Sequence, residues 1–178
     1  MKKSLLLAIL FLIPFFGISQ TSKSIDSFIG IKFGSNEETV KAAILAKGGK
    51  LSAEYSNSNL LEFITVSDGK RNNIGLSVKF YNDMAYEATL IYEVEGSEKI
   101  IPYYIRIVND FNKIYGKGQS SKQFTPPYHD GDGNELKAIE TSNAVYHTLW
   151  TTSFDRSKIE AFILSKRNIV VKFSHPPL

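Results

Sequence analysis

The stretch LSVKFYNDMAYEATLIY, residues 76–92, decides the fold predicted for this chain. Apolar or aromatic residues occupy every second position on both sides of a short polar interruption: Leu76, Val78 and Phe80, then Tyr86, Ala88, Leu90 and Tyr92. Asn82 and Asp83 form the interruption, and both residue types tolerate the left-handed backbone region that a two-residue hairpin turn requires. The segment therefore predicts an antiparallel hairpin with one dry face and one partly wet face.

Strand patterns also lie on both sides of this hairpin. Leu60 to Val66 is rich in β-formers, and four later segments read as two further hairpins: Leu136 to Thr141 with Val145 to Thr152, and Ile159 to Leu164 with Ile169 to Phe173. Their turns are expected at Ser142-Asn143 and at 166–168. Residues 49–55 and 119–124 have weaker, polar strand patterns.

Two helices are predicted between these strands. Ser35 and Glu38 form the S-x-x-E capping box, and Gly48 can end the helix in the left-handed region, so the first helix covers about residues 36–47. The second begins near Ile101 and ends at Gly116. Its expected buried stripe has helical spacing: Ile101, Tyr104, Ile105, Val108, Phe111 and Tyr115.

The order of these elements predicts an α+β fold made of two similar halves. Helix, glycine, weak polar strand and then alternating strands occur twice, in residues 20–96 and again in residues 97–178. We expect two tandem helix-plus-meander units that form an antiparallel sheet, share one core, and carry their helices on one face. The alternative is one continuous barrel-like sheet.

Residues 1–19 have the pattern of a secretory signal peptide. Lys2 and Lys3 precede an apolar run from Leu5 to Ile13, which is shorter than the about 20 residues that cross a bilayer. We therefore expect export to a periplasm or to the exterior, cleavage near Ser19-Gln20, and no stable membrane anchor.

Composition narrows the possible partners and sites. Without Lys2 and Lys3, the 21 basic residues become 19 against 18 acidic ones, so a nucleic-acid partner is not expected. The chain contains no cysteine. This absence excludes disulfides, thiolate metal sites, a cysteine nucleophile and a lipid anchored on cysteine.

The loop of residues 125–135 is the stretch that comes closest to a metal-binding motif. Asp130, Asp132 and Asn134 match the first ligands of a calcium loop, but Glu135 and Thr141 stand where glycine and glutamate are required. The three histidines, His129, His147 and His175, lack metal-ligand spacing. We predict no metal, no cofactor and no catalytic residue. Tyr128, Asp130 and Asp132 are instead candidate contact residues of a mobile, exposed loop.

Four aromatic residues on predicted strands are the other binding candidates: Tyr81, Tyr92, Tyr146 and Trp150. If helices cover one face of the sheet, such side chains on the other face would form a recognition surface. Strand parity alone leaves open whether they lie on that face or in the core.

The tandem helix–glycine–meander pattern over residues 28–174 resembles the β-lactamase-inhibitor-protein-like fold. The segment GIKFGSNEETV, residues 30–40, also looks like the opening of outer-membrane-assembly lipoproteins and related small exported proteins. The resemblance implies a binding module rather than an enzyme.

The leading hypothesis is an exported, non-enzymatic binding protein that recognises a protein or a cell-envelope component through an exposed sheet face and loops. One alternative is a hydrolase of envelope polymers that uses carboxylates near residues 125–135. A second is a carrier of a small ligand, which needs an enclosed apolar cavity.

Overall fold

The computed structural model describes residues 24–57, 59–152 and 156–177, so the predicted signal peptide lies outside it. The described helices are α1 (Glu37–Ala46), α2 (Ile100–Tyr115, preceded by the 3₁₀ turn Ser97–Lys99) and α3 (Glu135–Glu140). The strands are β1 (Ser27–Phe28), β2 (Ile31–Lys32), β3 (Lys50–Leu51), β4 (Leu60–Val66), β5 (Ile74–Tyr81), β6 (Met84–Glu93), β7 (Gln119–Phe124), β8 (Ala144–Thr151), β9 (Lys158–Ile163) and β10 (Asn168–Ser174). No helix in the described ranges is long and apolar enough to cross a membrane.

Strands β3 to β10 form one antiparallel sheet in the order β3-β4-β5-β6-β10-β9-β8-β7. Strands β6 and β10 lie next to each other at its centre, where Leu90 faces Val171. Strands β1 and β2 form a separate small hairpin. The predicted α+β class with a large antiparallel sheet and few helices is therefore confirmed.

The hairpin of residues 76–92 forms with the predicted turn and one irregularity. Asn82 and Asp83 have φ values of 49° and 61°, which confirms the two-residue turn. Beyond the turn, Phe80 pairs with Ala85 while Lys79 pairs with Glu87, so Tyr86 is the extra residue of a β-bulge. For this reason Ala85, and not Tyr86, takes the buried position.

Helix α1 begins one residue later than its sequence pattern predicts. Asn36 is the N-cap, and its side chain accepts a hydrogen bond from the Thr39 amide at 2.9 Å. Ser35 does not cap the helix; its carbonyl accepts a bond from the Ala85 amide, which ties the chain to β6. The predicted stop is confirmed, since Gly48 has a φ of 81°.

Helix α2 ends at Gly116 as predicted, but its buried face is rotated from the expected stripe. Ile100 and Ile107 are fully buried, whereas Ile105 is 49% exposed. The prediction of a strand for Leu136 to Thr141 is wrong. This segment contains α3, whose Ala138 and Ile139 are buried.

Both long helices pack on the same face of the sheet. Helix α1 contacts β3, β4 and β6, and α2 contacts β9 and β10. Directly paired residues of neighbouring strands share a face. One row therefore crosses the sheet beneath the helices: Phe63, Leu76, Leu90, Val171, Ala161 and Thr148. All six are buried, so the core lies between this face and the helices.

Candidate functional site

Three of the four aromatic residues predicted from strand alternation lie in the core. Tyr92, Tyr146 and Trp150 are only 2–3% exposed, on the face that the helices cover. Tyr92 and Tyr146 lie in one row but are separated by two strands, which places them about 14 Å apart, and Trp150 lies farther still from Tyr92. They therefore do not form an open aromatic surface in this structure, and the alternative that they belong to the core holds for these three.

Hydrogen bonds and ring contacts fix these buried aromatic residues. The indole Nε1 of Trp150 donates to the Asn112 side chain and to the Gly116 carbonyl, both at 3.1 Å. Tyr146 packs edge-on against Tyr104, and burial raises the pKa of Tyr146 to about 12. Their polar atoms already have partners or are shielded, which is typical of structural aromatic residues.

The remaining predicted contact residues lie in two separate places, Tyr81 on β5 and Tyr128, Asp130 and Asp132 in the loop after β7. Tyr81 is 53% exposed at the end of β5. In the loop, Asp130 forms an ion pair with Lys122 at 3.0 Å. Asp132 accepts hydrogen bonds from the amides of Asn134 and His129, and these bonds lower the pKa of its carboxyl group. Tyr128 is half-buried beside these aspartates.

The acidic groups of this loop thus have partners of their own: Lys122 pairs with Asp130, and backbone amides donate to Asp132 and Glu135. In the part of the chain that the structure describes, no three potential metal ligands come together.

The face of the sheet opposite the helices is covered by no described element and carries an apolar patch. The register places one row of residues across six strands on this face: Gly75, Ile91, Val170, Phe162, His147 and Ser121. Val145 and Leu164 follow on the same face, two residues from His147 and Phe162. Ile91, Val145 and Leu164 are 38%, 49% and 59% exposed. We call these three residues, together with the half-buried Phe162 and the buried Val170 that lies between Ile91 and Phe162, the apolar patch.

Charged residues lie beside the apolar patch and are paired within the face. The Glu87 carboxylate contacts the ammonium groups of Lys79 at 2.9 Å and Lys172 at 2.7 Å. Burial alone would raise the pKa of Glu87, but the hydrogen bonds from the two lysines lower it below its usual value. His147 lies 3.7 Å from Glu160. The uncovered face therefore has an apolar centre, and the charged residues at its border form ion pairs with one another.

A second feature, the central cleft, lies on the helix side of the sheet. Its volume is about 280 Å³. The floor is formed by Leu90 and Tyr92 of β6 and Phe173 of β10, the wall by the last turns of α2, and the roof by the β1–β2 turn and the loop after β4.

An ionic cluster forms one side of the central cleft. Arg71 pairs with Asp68 at 3.1 Å and also with Asp110, while Lys70 contacts Asp110 at 2.9 Å. The Tyr92 hydroxyl donates to Asp68 at 3.0 Å. Burial raises the pKa of Asp110, but the hydrogen bonds from Lys70 and Arg71 outweigh it and the net pKa is lowered.

The comparisons with known proteins give no match. A scan against protein-family models and searches of curated proteins and of solved structures all fail to match the chain.

The carboxyl groups with resolved pKa shifts do not have the property that a general acid requires. A general acid needs a carboxyl group whose pKa is raised. The resolved pKa shifts of Asp110 and Asp132 are downward. Among the carboxylates near residues 125–135, that of Asp130 is exposed and those of Asp132 and Glu135 are partly exposed. The sequence analysis did not identify the apolar patch, because it selected Tyr92 and Trp150 as surface candidates and these residues lie on the buried face. The available signal was the occurrence of Ile91 and Val145 at positions of the opposite parity.

Proposed function

We propose that the protein is an exported binding protein, without catalysis of its own, that recognises a protein or another cell-envelope component through the uncovered face of its sheet. The apolar patch supports this proposal. Three large aliphatic side chains, Ile91, Val145 and Leu164, are exposed on a face that no described element covers. Val145 lies on β8 and Leu164 directly follows the neighbouring strand β9, and Val170 and Phe162 lie between them and Ile91. Contiguous exposed apolar surface on a soluble domain often marks an interaction site.

The size of the uncovered face fits a specific interface. Eight strands about 4.8 Å apart, with an average length of about seven residues at about 3.3 Å each, present roughly 900 Å². A standard protein–protein interface buries about 800 Å² on each partner. An apolar centre with a polar border is also the usual arrangement of such interfaces.

The proposal also includes the organisation of the chain into two tandem units, residues 20–96 and 97–178, after a signal peptide of residues 1–19. Helix α1 precedes β3 to β6, and α2 precedes β7 to β10. The final strands of the two sets pair at the centre of the sheet. This order supports the resemblance to the β-lactamase-inhibitor-protein-like fold.

The experiment compares capture of partners from the native envelope extract by three forms of the protein. The double variant Val145→Glu/Leu164→Glu places charges in the apolar patch. The control Ile105→Glu changes an equally exposed residue, 49% against 49% for Val145, on helix α2. We expect the wild type and the control to retain the same partner, and the double variant to lose it at an unchanged melting temperature.

Equal capture by the double variant would contradict the proposal. A concentration-dependent dimer of the wild type that the double variant abolishes would instead identify a second copy of this chain as the partner.

A further inference from the structure

Strand β7 forms one end of the eight-stranded sheet and has a neighbouring strand on one side only. The strand at the other end, β3, contains only two residues. Five of the six residues of β7 are exposed, and the sixth, Phe124, is half-buried. In the described ranges, β7 is therefore the long open edge of the sheet.

The pairing of β7 with β8 shows which backbone groups of β7 point to the open edge. The Thr125 amide donates to the Asn143 carbonyl, and this pair continues the β7–β8 register. In antiparallel strands, residues that bond to the neighbour alternate with residues that point away from it. Counted back from Thr125, the amides and carbonyls of Ser120, Lys122 and Phe124 point away from β8. Within the described residues, no other backbone pairs with these groups.

We propose that β7 pairs antiparallel with β7 of a second copy of this chain, so that two eight-stranded sheets join into one across a two-fold axis. An unpaired edge strand is a ready template for pairing with another chain. The inference does not rest on the proposed function, because it uses no residue of the apolar patch.

The side chains of β7 suit a contact with an identical strand. Lys122 is the only charged residue of the strand, and its ammonium group pairs with Asp130 of its own chain at 3.0 Å. Gln119, Ser121 and Gln123 lie on the uncovered face of the sheet. Their neutral amide and hydroxyl groups both donate and accept hydrogen bonds. They therefore provide the self-complementary surface that a two-fold contact requires.

One register of the two strands satisfies both the backbone and the charges. A two-fold axis at Lys122 would place two ammonium groups directly opposite each other, which is unfavourable. An axis at Ser120 or Gln123 would pair only about three residues of each strand instead of about five. An axis at Ser121 avoids both problems. Ser120 then exchanges its backbone hydrogen bonds with Lys122 of the second copy, and Gln119 faces Gln123 of the second copy.

The contact is small, so the dimer should be reversible. A strand of this length extends over about 20 Å. Contacts that bury less than about 1,200 Å² in total belong to weak and transient complexes. The pairing also uses the long open edge of each sheet, and β3 at the other end is too short to continue it. We therefore expect a dimer that dissociates on dilution, and no larger assembly.

The first test is sedimentation velocity of the purified protein over a concentration series from about 1 μM to about 1 mM. We expect the wild type to change from monomer to dimer as its concentration rises. Ser120→Pro removes an amide that points to the open edge, which edge strands tolerate, and should weaken dimerisation at least tenfold. Ser120→Ala is the matched control, because it also removes the hydroxyl group that contacts Thr148 but keeps the amide. It should dimerise like the wild type, and the two variants should have the same melting temperature at the lowest concentration.

Cysteine cross-linking tests the register. The chain contains no cysteine, so a single introduced cysteine can form a disulfide only between copies. With the axis at Ser121, the two Ser121 residues are directly opposite in a non-hydrogen-bonded pair, with Cα atoms about 4.5 Å apart and within disulfide range. The two Gln123 residues are displaced by about 13 Å along the strands. Under mild oxidation, Ser121→Cys should give a covalent dimer and Gln123→Cys at least tenfold less of it.

Three results would overturn the proposal. They are a wild type that stays monomeric throughout the series, a Ser120→Pro variant that dimerises as well as Ser120→Ala, and a Gln123→Cys variant that cross-links as readily as Ser121→Cys. A dimer that Ser120→Pro retains and Val145→Glu/Leu164→Glu loses would overturn it as well, and would place the contact on the apolar patch.

Discussion

At the scale of single residues, Trp150 and Asn112 connect three elements of the fold. The Asn112 side chain of α2 accepts a hydrogen bond from the indole of Trp150 on β8 and another from the Gly118 amide that precedes β7. The Trp150 ring also packs on Phe111, with centroids 5.5 Å apart. Trp150 is therefore a structural residue that holds α2 against the sheet.

Replacement of Trp150 by alanine should reduce the free energy of unfolding by about 3–5 kcal/mol, because it removes a large buried ring and two hydrogen bonds. Equilibrium urea denaturation measures this change. Tyr81→Ala, at an exposed aromatic residue, is the control and should change stability by about 0.5 kcal/mol or less. A loss below about 1 kcal/mol for Trp150→Ala would show that the ring is not packed as described.

Glu87 should make the stability of the protein depend on pH. Its pKa is lowered from the usual 4.5 by the hydrogen bonds from Lys172 and Lys79, which outweigh the effect of burial. A group with a lowered pKa stabilises the fold above its unfolded pKa and loses this effect as pH falls through the folded pKa. Glu87→Gln should thus cost about 2 kcal/mol at about pH 7 and much less at about pH 3.

The comparison requires denaturation curves of the wild type and Glu87→Gln at both pH values. Glu93→Gln is the control, since Glu93 pairs with Arg167 through a side chain that is 65% exposed. An equal cost of Glu87→Gln at the two pH values would refute the assigned ion pairs.

At the scale of elements, the hairpin turn and helix α1 support each other. The Asp83 side chain in the β5–β6 turn accepts a hydrogen bond from the Glu37 amide at 3.1 Å. The side chain of the N-cap residue Asn36 accepts a hydrogen bond from the Thr39 amide. Two donors at the beginning of α1 are thereby satisfied, one of them from a distant part of the chain.

Asn36→Ala should lower the free energy of unfolding by about 1 kcal/mol, because it removes the N-cap hydrogen bond. Ser35→Ala should have a much smaller effect, because Ser35 is not the N-cap. Its backbone carbonyl accepts the hydrogen bond from the Ala85 amide, and the substitution leaves that carbonyl in place. Thermal or urea unfolding of both variants tests the assignment, and a larger loss for Ser35→Ala would favour the capping box expected from the sequence.

Local signals predicted most elements but not which side of each element is buried. The turn at Asn82-Asp83 and the helix stops at Gly48 and Gly116 were predictable because backbone conformation there depends on one or two residues. Helix α3 was missed because Leu136 to Ile139 is too short to distinguish helix from strand by periodicity. The apolar patch was missed because strand parity is decided by packing against distant helices.

At the scale of the whole molecule, the two halves of the chain share one hydrophobic core. The pairing of β6 with β10 places Leu90 beside Val171 and Ala88 beside Phe173, all buried. Each half alone would expose this central seam of the sheet together with part of its helix contacts.

Fragments that comprise residues 20–96 and 97–178 should therefore not fold separately. Circular dichroism with heating should show no cooperative transition for either fragment alone, while the co-expressed pair should regain one. A cooperative transition in an isolated fragment would contradict a shared core.

The most direct test of the proposed binding face is side-chain footprinting of the protein alone and with its captured partner. We predict that labelling of Phe162, Leu164 and Ile91 on the uncovered face falls on binding, while labelling of Ile105 and Ile114 on α2 stays the same. Protection of the α2 residues with unchanged labelling of the apolar patch would contradict the proposal that the uncovered sheet face is the recognition surface.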